Sequence, residues 1–78
     1  MLTKRQVEVI MKFWKRGYFF SWELSSVFST EVSKTNCLNT LTAYKIITED
    51  NFKFHINREE FLKYQKELEN MGVSEYGA

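Results

Sequence analysis

The chain has 78 residues, 44% of them hydrophobic and 27% charged, with a formal net charge of +1, the balance of one folded domain and not of a disordered chain. No apolar run nears the roughly 18 residues that span a bilayer and no signal-peptide pattern opens the chain, so no membrane contact and a cytoplasmic location are expected. The single cysteine, Cys37, cannot close an intrachain disulfide, and with one histidine beside it a four-ligand metal site is excluded.

Leu2-Thr3-Lys4-Arg5-Gln6-Val7 reads as a helix start: Thr3 caps, Gln6 completes a capping box and Leu2 staples onto Val7. Val7, Ile10, Met11 and Trp14 follow one helical face, and Gly17 ends the element in a left-handed conformation. Tyr18-Phe19-Phe20 is too short for a helix and reads as a brief strand that pairs with a later one. Ser21 then caps a short second helix, from Trp22 to about Phe28, with Leu24, Val27 and Phe28 inward and Trp22 expected to pack.

After a break at Ser29-Thr30, a third helix is expected from about Glu31 to Tyr44, with Cys37, Leu38, Leu41 and Tyr44 on one face. Its other face carries Thr35, Asn36, Asn39 and Thr40, with Ser33 and Lys34 near its start. Threonine and asparagine are poor helix formers, so this face serves something other than helicity. Lys45-Ile46-Ile47-Thr48, a polar turn at Glu49-Asp50-Asn51 and Phe52-Lys53-Phe54-His55-Ile56 read as a hairpin. Alternation puts Phe52, Phe54 and Ile56 on one side and Lys53 and His55 on the other. Asn57-Arg58-Glu59-Glu60 repeats the capping-box pattern before a last helix with Phe61, Tyr64, Leu68 and Met71 as its stripe. Gly72 stops it, giving one domain over 1–72 and a flexible tail over 73–78.

Charge is distributed unevenly. Residues 1–17 hold Lys4, Arg5, Lys12, Lys15 and Arg16 against Glu8 alone, while the segment from residue 59 holds five glutamates against Lys63 and Lys66. Such asymmetry reads either as plain solvated helix faces or as a face presented to a polyanion.

This element order resembles the winged helix-turn-helix family over roughly residues 3–70, most sharply in Thr35-Asn36-Cys37-Leu38-Asn39-Thr40-Leu41-Thr42-Ala43-Tyr44-Lys45-Ile46-Ile47. Leu38 and Leu41 match the family's leucine-like pair in the recognition helix, and Ile46-Ile47 its aliphatic pair opening the wing. The chain departs from the pattern at Lys45, where the family usually has glycine, and near Ser25 and Ser29, where it has alanine or glycine. Leu2 to Ile10 also looks like the first helix of four-helix quorum-sensing regulators, but those lack a hairpin.

The winged-helix resemblance implies an α+β, mostly helical fold: a three-helix core, a short two- or three-stranded wing and a C-terminal helix. It implies sequence-specific binding of double-stranded DNA by a small transcriptional regulator. Asn36 and Asn39 are the candidates for base edges, or else plain solvent-facing residues. Thr35 and Thr40 are placed to meet a thymine methyl or a phosphate, Ser33 and Lys34 the backbone at a helix N-terminus, and Lys45, Lys53 and His55 phosphate beside the wing. First and last helices are expected to pair in a homodimer; Phe13, Trp14 and Tyr64 either serve that interface or complete the monomer core. A protein-interaction module or small inhibitor of a larger complex is the alternative. No catalytic constellation, cofactor motif or small-molecule ligand is expected: Cys37 falls on the core face and the three glycines are scattered.

Overall fold

A computed structural model describes residues 1–70; the expected helix stop at Met71-Gly72 and the 73–78 tail lie outside the described residues. The elements are α1 (Lys4–Lys12), β1 (Tyr18–Phe20), a 3-10 helix (Ser21–Ser26), α2 (Glu31–Ala43), β2 (Ile47–Asp50), β3 (Lys53–Ile56) and α3 (Arg58–Asn70). The three strands form one antiparallel sheet in the order β1-β3-β2. The result is a small α+β fold.

α1 starts as its sequence dictates. The Thr3 side chain accepts from the Gln6 N–H at 3.2 Å while Gln6 accepts from the Thr3 N–H at 2.9 Å, so two orphan donors are satisfied at once. Leu2 and Val7 are both buried, as a hydrophobic staple requires. The expected stripe needs one correction: Met11 is 42% exposed and Val9 is buried instead. Val9 lies roughly 200° around the helix from Val7, so α1 is covered on two flanks and not along one seam.

The second helix is a 3-10 helix of six residues, shorter and tighter than expected. Its start is organised by Glu23, not by Ser21: the Glu23 carboxylate accepts from the Phe20 N–H at 3.2 Å and from Arg16 Nη2 at 2.6–2.7 Å. Leu24 faces the core as expected, with Val27 and Phe28 packed against it.

α2 is capped by Thr30, which accepts from the Ser33 N–H at 3.1 Å. It closes in a Schellman motif: Lys45 N–H donates to Thr42 C=O at 2.9 Å and Ile46 N–H to Leu41 C=O at 3.0 Å. That pattern requires a left-handed residue between them, and Lys45 has φ 63°. The backbone therefore makes the demand that glycine usually meets, at a position held by lysine.

The hairpin turn is shorter than expected. Asp50 pairs with Lys53, leaving only Asn51 and Phe52, with φ 51° and 68°. Positive φ at both central residues is the signature of a type I′ turn, which matches the strands' twist. Asparagine suits the first position; the second favours glycine, yet here it is Phe52. That ring lies in the turn and not in β3, and it is 72% exposed.

Sheet alternation then sets two faces. Phe19, Phe54, Ile47 and Ile56 point into the core; Tyr18 and Phe20, Lys53 and His55, and Thr48 and Asp50 form the outer face. Phe13, Trp14 and Tyr64 belong to the monomer: Phe13 stacks on Phe19 at 5.1 Å, Trp14 lies 5.5 Å from Phe61, and the Tyr64 hydroxyl accepts from the Leu2 N–H at 2.7 Å.

Two polar side chains stitch α3 to the rest. Arg58 donates to the carbonyls of Trp14 and Lys15 at 2.6 and 3.2 Å, closing the turn after α1. At Gly17 in that turn φ is 84°, and an added Cβ would stand 3.2 Å from the same guanidinium. The Asn57 amide donates to Lys45 C=O at 2.8 Å and Thr48 Oγ1 at 2.9 Å, so its NH2 group bridges the hairpin base where a capping box was expected.

Left-handed backbone costs an L-residue roughly 1–2 kcal/mol, and glycine gives back about 0.5–1 of that through unfolded-state entropy. Lys45→Gly and Phe52→Gly are therefore each expected to raise stability by about 0.5–1 kcal/mol, read as a higher urea midpoint at unchanged m-value.

Candidate nucleic-acid interface

The nine residues expected to touch DNA fall on two surfaces. α2 turns Cys37 and Leu41 inward, so Thr35, Asn36 and Asn39 stand exposed on its far side, with Thr40 half-buried at their border. The sheet turns Phe19 and Phe54 inward, so Lys53 and His55 emerge on its outer face. Each set points away from the shared core, and Lys45 stands exposed at the corner where α2 meets β2.

Within the helix set the side chains differ in what they are free to do. Neither Asn36 nor Asn39 has a hydrogen-bond partner among the described residues, so their amides stay available. Ser33 serves the helix cap, its Oγ accepting from Thr30 Oγ1 at 3.0 Å. Lys34 reaches back to Glu31 at 2.9–3.0 Å with its side chain only 15% exposed, so its charge is matched within its own helix. α2 thereby presents a neutral amide-and-hydroxyl surface.

Within the sheet set, Lys53 Nζ lies 4.5 Å from the Tyr18 ring centroid and 5.8 Å from that of Phe20. His55 Nε2 is 4.0 Å from Asp50 Oδ2 on the neighbouring strand. The end of the hairpin is acidic, with Glu49 and Asp50 both exposed, which opposes contact with a phosphate backbone there.

Trp22, expected to pack, is 61% exposed. It lies flat on Phe20 with centroids 4.5 Å apart and planes within 6°. Phe20 is an outer-face residue, so the ring stacked on it is carried outward too. Its place outside the core follows from the 3-10 geometry, which no sequence pattern at Ser21-Trp22 announces.

Further cations without an ion pair lie on the N-terminal segment. Among the described residues Lys4, Arg5, Lys12 and Lys15 make no ion pair, while Arg16 is matched by Glu23. Arg5 and Lys12 instead reach Val27 C=O and Ser26 Oγ at 3.4 Å, so three cations of the N-terminal segment line the 3-10 helix. Between the end of α2, the hairpin and the start of α3 lies an open groove of about 770 Å³ bordered by Lys45, Glu49, Arg58, Glu59 and Glu60. Its carboxylates outnumber its cations, and Arg58 is committed to Trp14 and Lys15.

No protein-family model, curated protein or solved structure matches this chain.

The hydrogen bond from Arg16 holds the Glu23 carboxyl below its ordinary value, against a smaller opposing effect of desolvation. A carboxyl depressed on folding contributes stability above its unfolded-state pKa and loses it as pH falls through the folded value. Thermal stability should therefore drop more steeply below about pH 4.5 in the wild type than in Glu23→Gln, by circular dichroism. Burial pushes the Cys37 thiol up to about 11. Its labelling by a thiol reagent at about pH 8 should accordingly follow unfolding, speeding up in urea in step with the loss of helix.

Proposed function

We propose that the chain is a winged helix-turn-helix domain that binds double-stranded DNA in a sequence-dependent way, α2 entering the major groove. The element order, with β1 between α1 and the 3-10 helix and a sheet ordered β1-β3-β2, supports the architecture. So does Lys45, whose left-handed backbone occupies the place where that family uses glycine.

One observation carries the function: two asparagines, Asn36 and Asn39, stand exposed and without hydrogen-bond partners on the outer side of a helix whose inner side is core. An asparagine amide pairs bidentately with the N6 and N7 edge of adenine, and each such pair discriminates by about 1–3 kcal/mol. Lys45 is the phosphate-positioning residue nearest this face. Lys34, already satisfied by Glu31, contributes little charge.

A protein-interaction module is the second reading, favoured by the neutral surface of α2 and by the exposed carboxylates of Glu49 and Asp50 at the hairpin end. A small regulator with so few free cations beside its recognition helix would bind duplex weakly as a monomer, and a dimer reading two half-sites would bind more tightly.

Selection from a random duplex pool followed by titration tests the reading. The Asn36→Ala/Asn39→Ala double variant should lose preference for the selected sequence while keeping its weak affinity for random duplex, and Lys45→Ala should weaken all sequences alike. No enrichment at low salt would transfer the function to the protein-interaction reading.

A further inference from the structure

The outward side of α2 carries an apolar residue that neither the core nor the helix explains. Val32 is 70% exposed and is not among the side chains packed against the core. A β-branched residue is a poor helix former, and at that exposure packing does not offset its propensity or the hydration of an aliphatic group. At roughly 100° per residue, Val32 stands about 180° around the axis from the buried Leu41, with Asn36 and Asn39 within about 40° of it on either side. The line furthest from the core therefore runs valine, asparagine, asparagine from the N-terminal end of the helix.

This line is uncharged. The only charged residues of α2, Glu31 and Lys34, are paired with each other at 2.9 Å and lie roughly 100° and 160° around the axis from Val32. What α2 turns outward is thus two amides without hydrogen-bond partners among the described residues and one isopropyl group. The major-groove edges of the base pairs present donors and acceptors that suit the amides, and one apolar feature, the 5-methyl of thymine, that suits the valine.

We infer that Val32 is a specificity-determining residue that packs on a thymine 5-methyl beside the adenines read by Asn36 and Asn39, an inference that rests on the duplex reading proposed above. Residues at the N-terminal end of a recognition helix are the ones that meet base edges, and Val32 is the second residue of α2. Along the axis it lies about 6 Å from Asn36 and about 10.5 Å from Asn39, against about 3.4 Å per base pair. The thymine accordingly falls about two or three base pairs from an adenine that the asparagines read. Thr35, the other methyl-bearing residue of this end, stands roughly 60° off the line.

Replacing thymine by deoxyuridine deletes the methyl and nothing else, so each thymine of a selected duplex can be tested in turn by polarisation. One such replacement should weaken binding by the wild type roughly 4-fold, as loss of one buried methyl does. In Val32→Ala the same replacement should change affinity by less than about 2-fold, whereas Thr35→Ala should retain the full effect. Alanine is the better helix former, so Val32→Ala should be at least as stable as the wild type, which separates lost contact from lost structure. Adenine preference that depends on Asn36 and Asn39, with no thymine methyl whose effect depends on Val32, would overturn this inference and leave the duplex reading standing. Failure of any duplex to be enriched at low salt would overturn both. A dimer of the free protein that Val32→Asp dissociates would also overturn the inference, by seating the valine on a second copy.

Discussion

The structure turns on Phe19. Its ring is fully buried, stacked on Phe13 at 5.1 Å on one side and Phe54 at 5.5 Å on the other, and it joins the turn after α1, the first strand and the central strand. Burial of one such ring contributes about 2–3 kcal/mol, and each aromatic neighbour about 0.5–1.5 more. In a domain whose whole stability is of order 5–15 kcal/mol, that one position is a large share. It also sets the orientation of everything beside it. A strand alternates, so with Phe19 inward its two neighbours Tyr18 and Phe20 are left outside. The aromatic outer face is the geometric consequence of the core.

The same economy governs the turns. The chain needs left-handed backbone at Gly17, Lys45, Asn51 and Phe52, and only the first of these is glycine. At Lys45 the Schellman bonds from Lys45 and Ile46 to the end of α2 compensate the strain, and Asn57 ties down the Lys45 carbonyl as well. At Asn51 the residue type itself tolerates the conformation. Phe52 has no such compensation in the turn, a local conflict between residue type and backbone.

Charge divides the surface by role. Arg16 and Arg58 are structural: one organises the 3-10 helix through Glu23, the other closes the turn between α1 and β1 through two carbonyls. Lys34 is spent on Glu31. On the N-terminal segment Lys4, Arg5, Lys12 and Lys15 make no ion pair among the described residues, as Lys45 and Lys53 make none.

Much of this was legible from residue order alone. The capping box at Thr3 and Gln6, the cap at Thr30, the left-handed Gly17, the strand at Tyr18–Phe20 and its later partner all follow from local rules, because caps, turns and alternation depend on residues within a few positions of one another. The inward placement of Leu24, Cys37, Leu41, Phe54 and Phe61 is equally local, since periodicity assigns a face, whereas which ring of Tyr18-Phe19-Phe20 turns inward was set by packing against Phe13 and Phe54. What tertiary structure alone decided is where side chains with two options go. Trp22 had a core and a surface open to it and took the surface because the 3-10 turn laid it on Phe20; Met11 was displaced from the core by Val9 because α1 is flanked twice; Arg58 and Asn57 found carbonyl partners far along the chain. Those outcomes are set by contacts between residues distant in sequence, where packing and unpaired backbone groups, not propensity, decide.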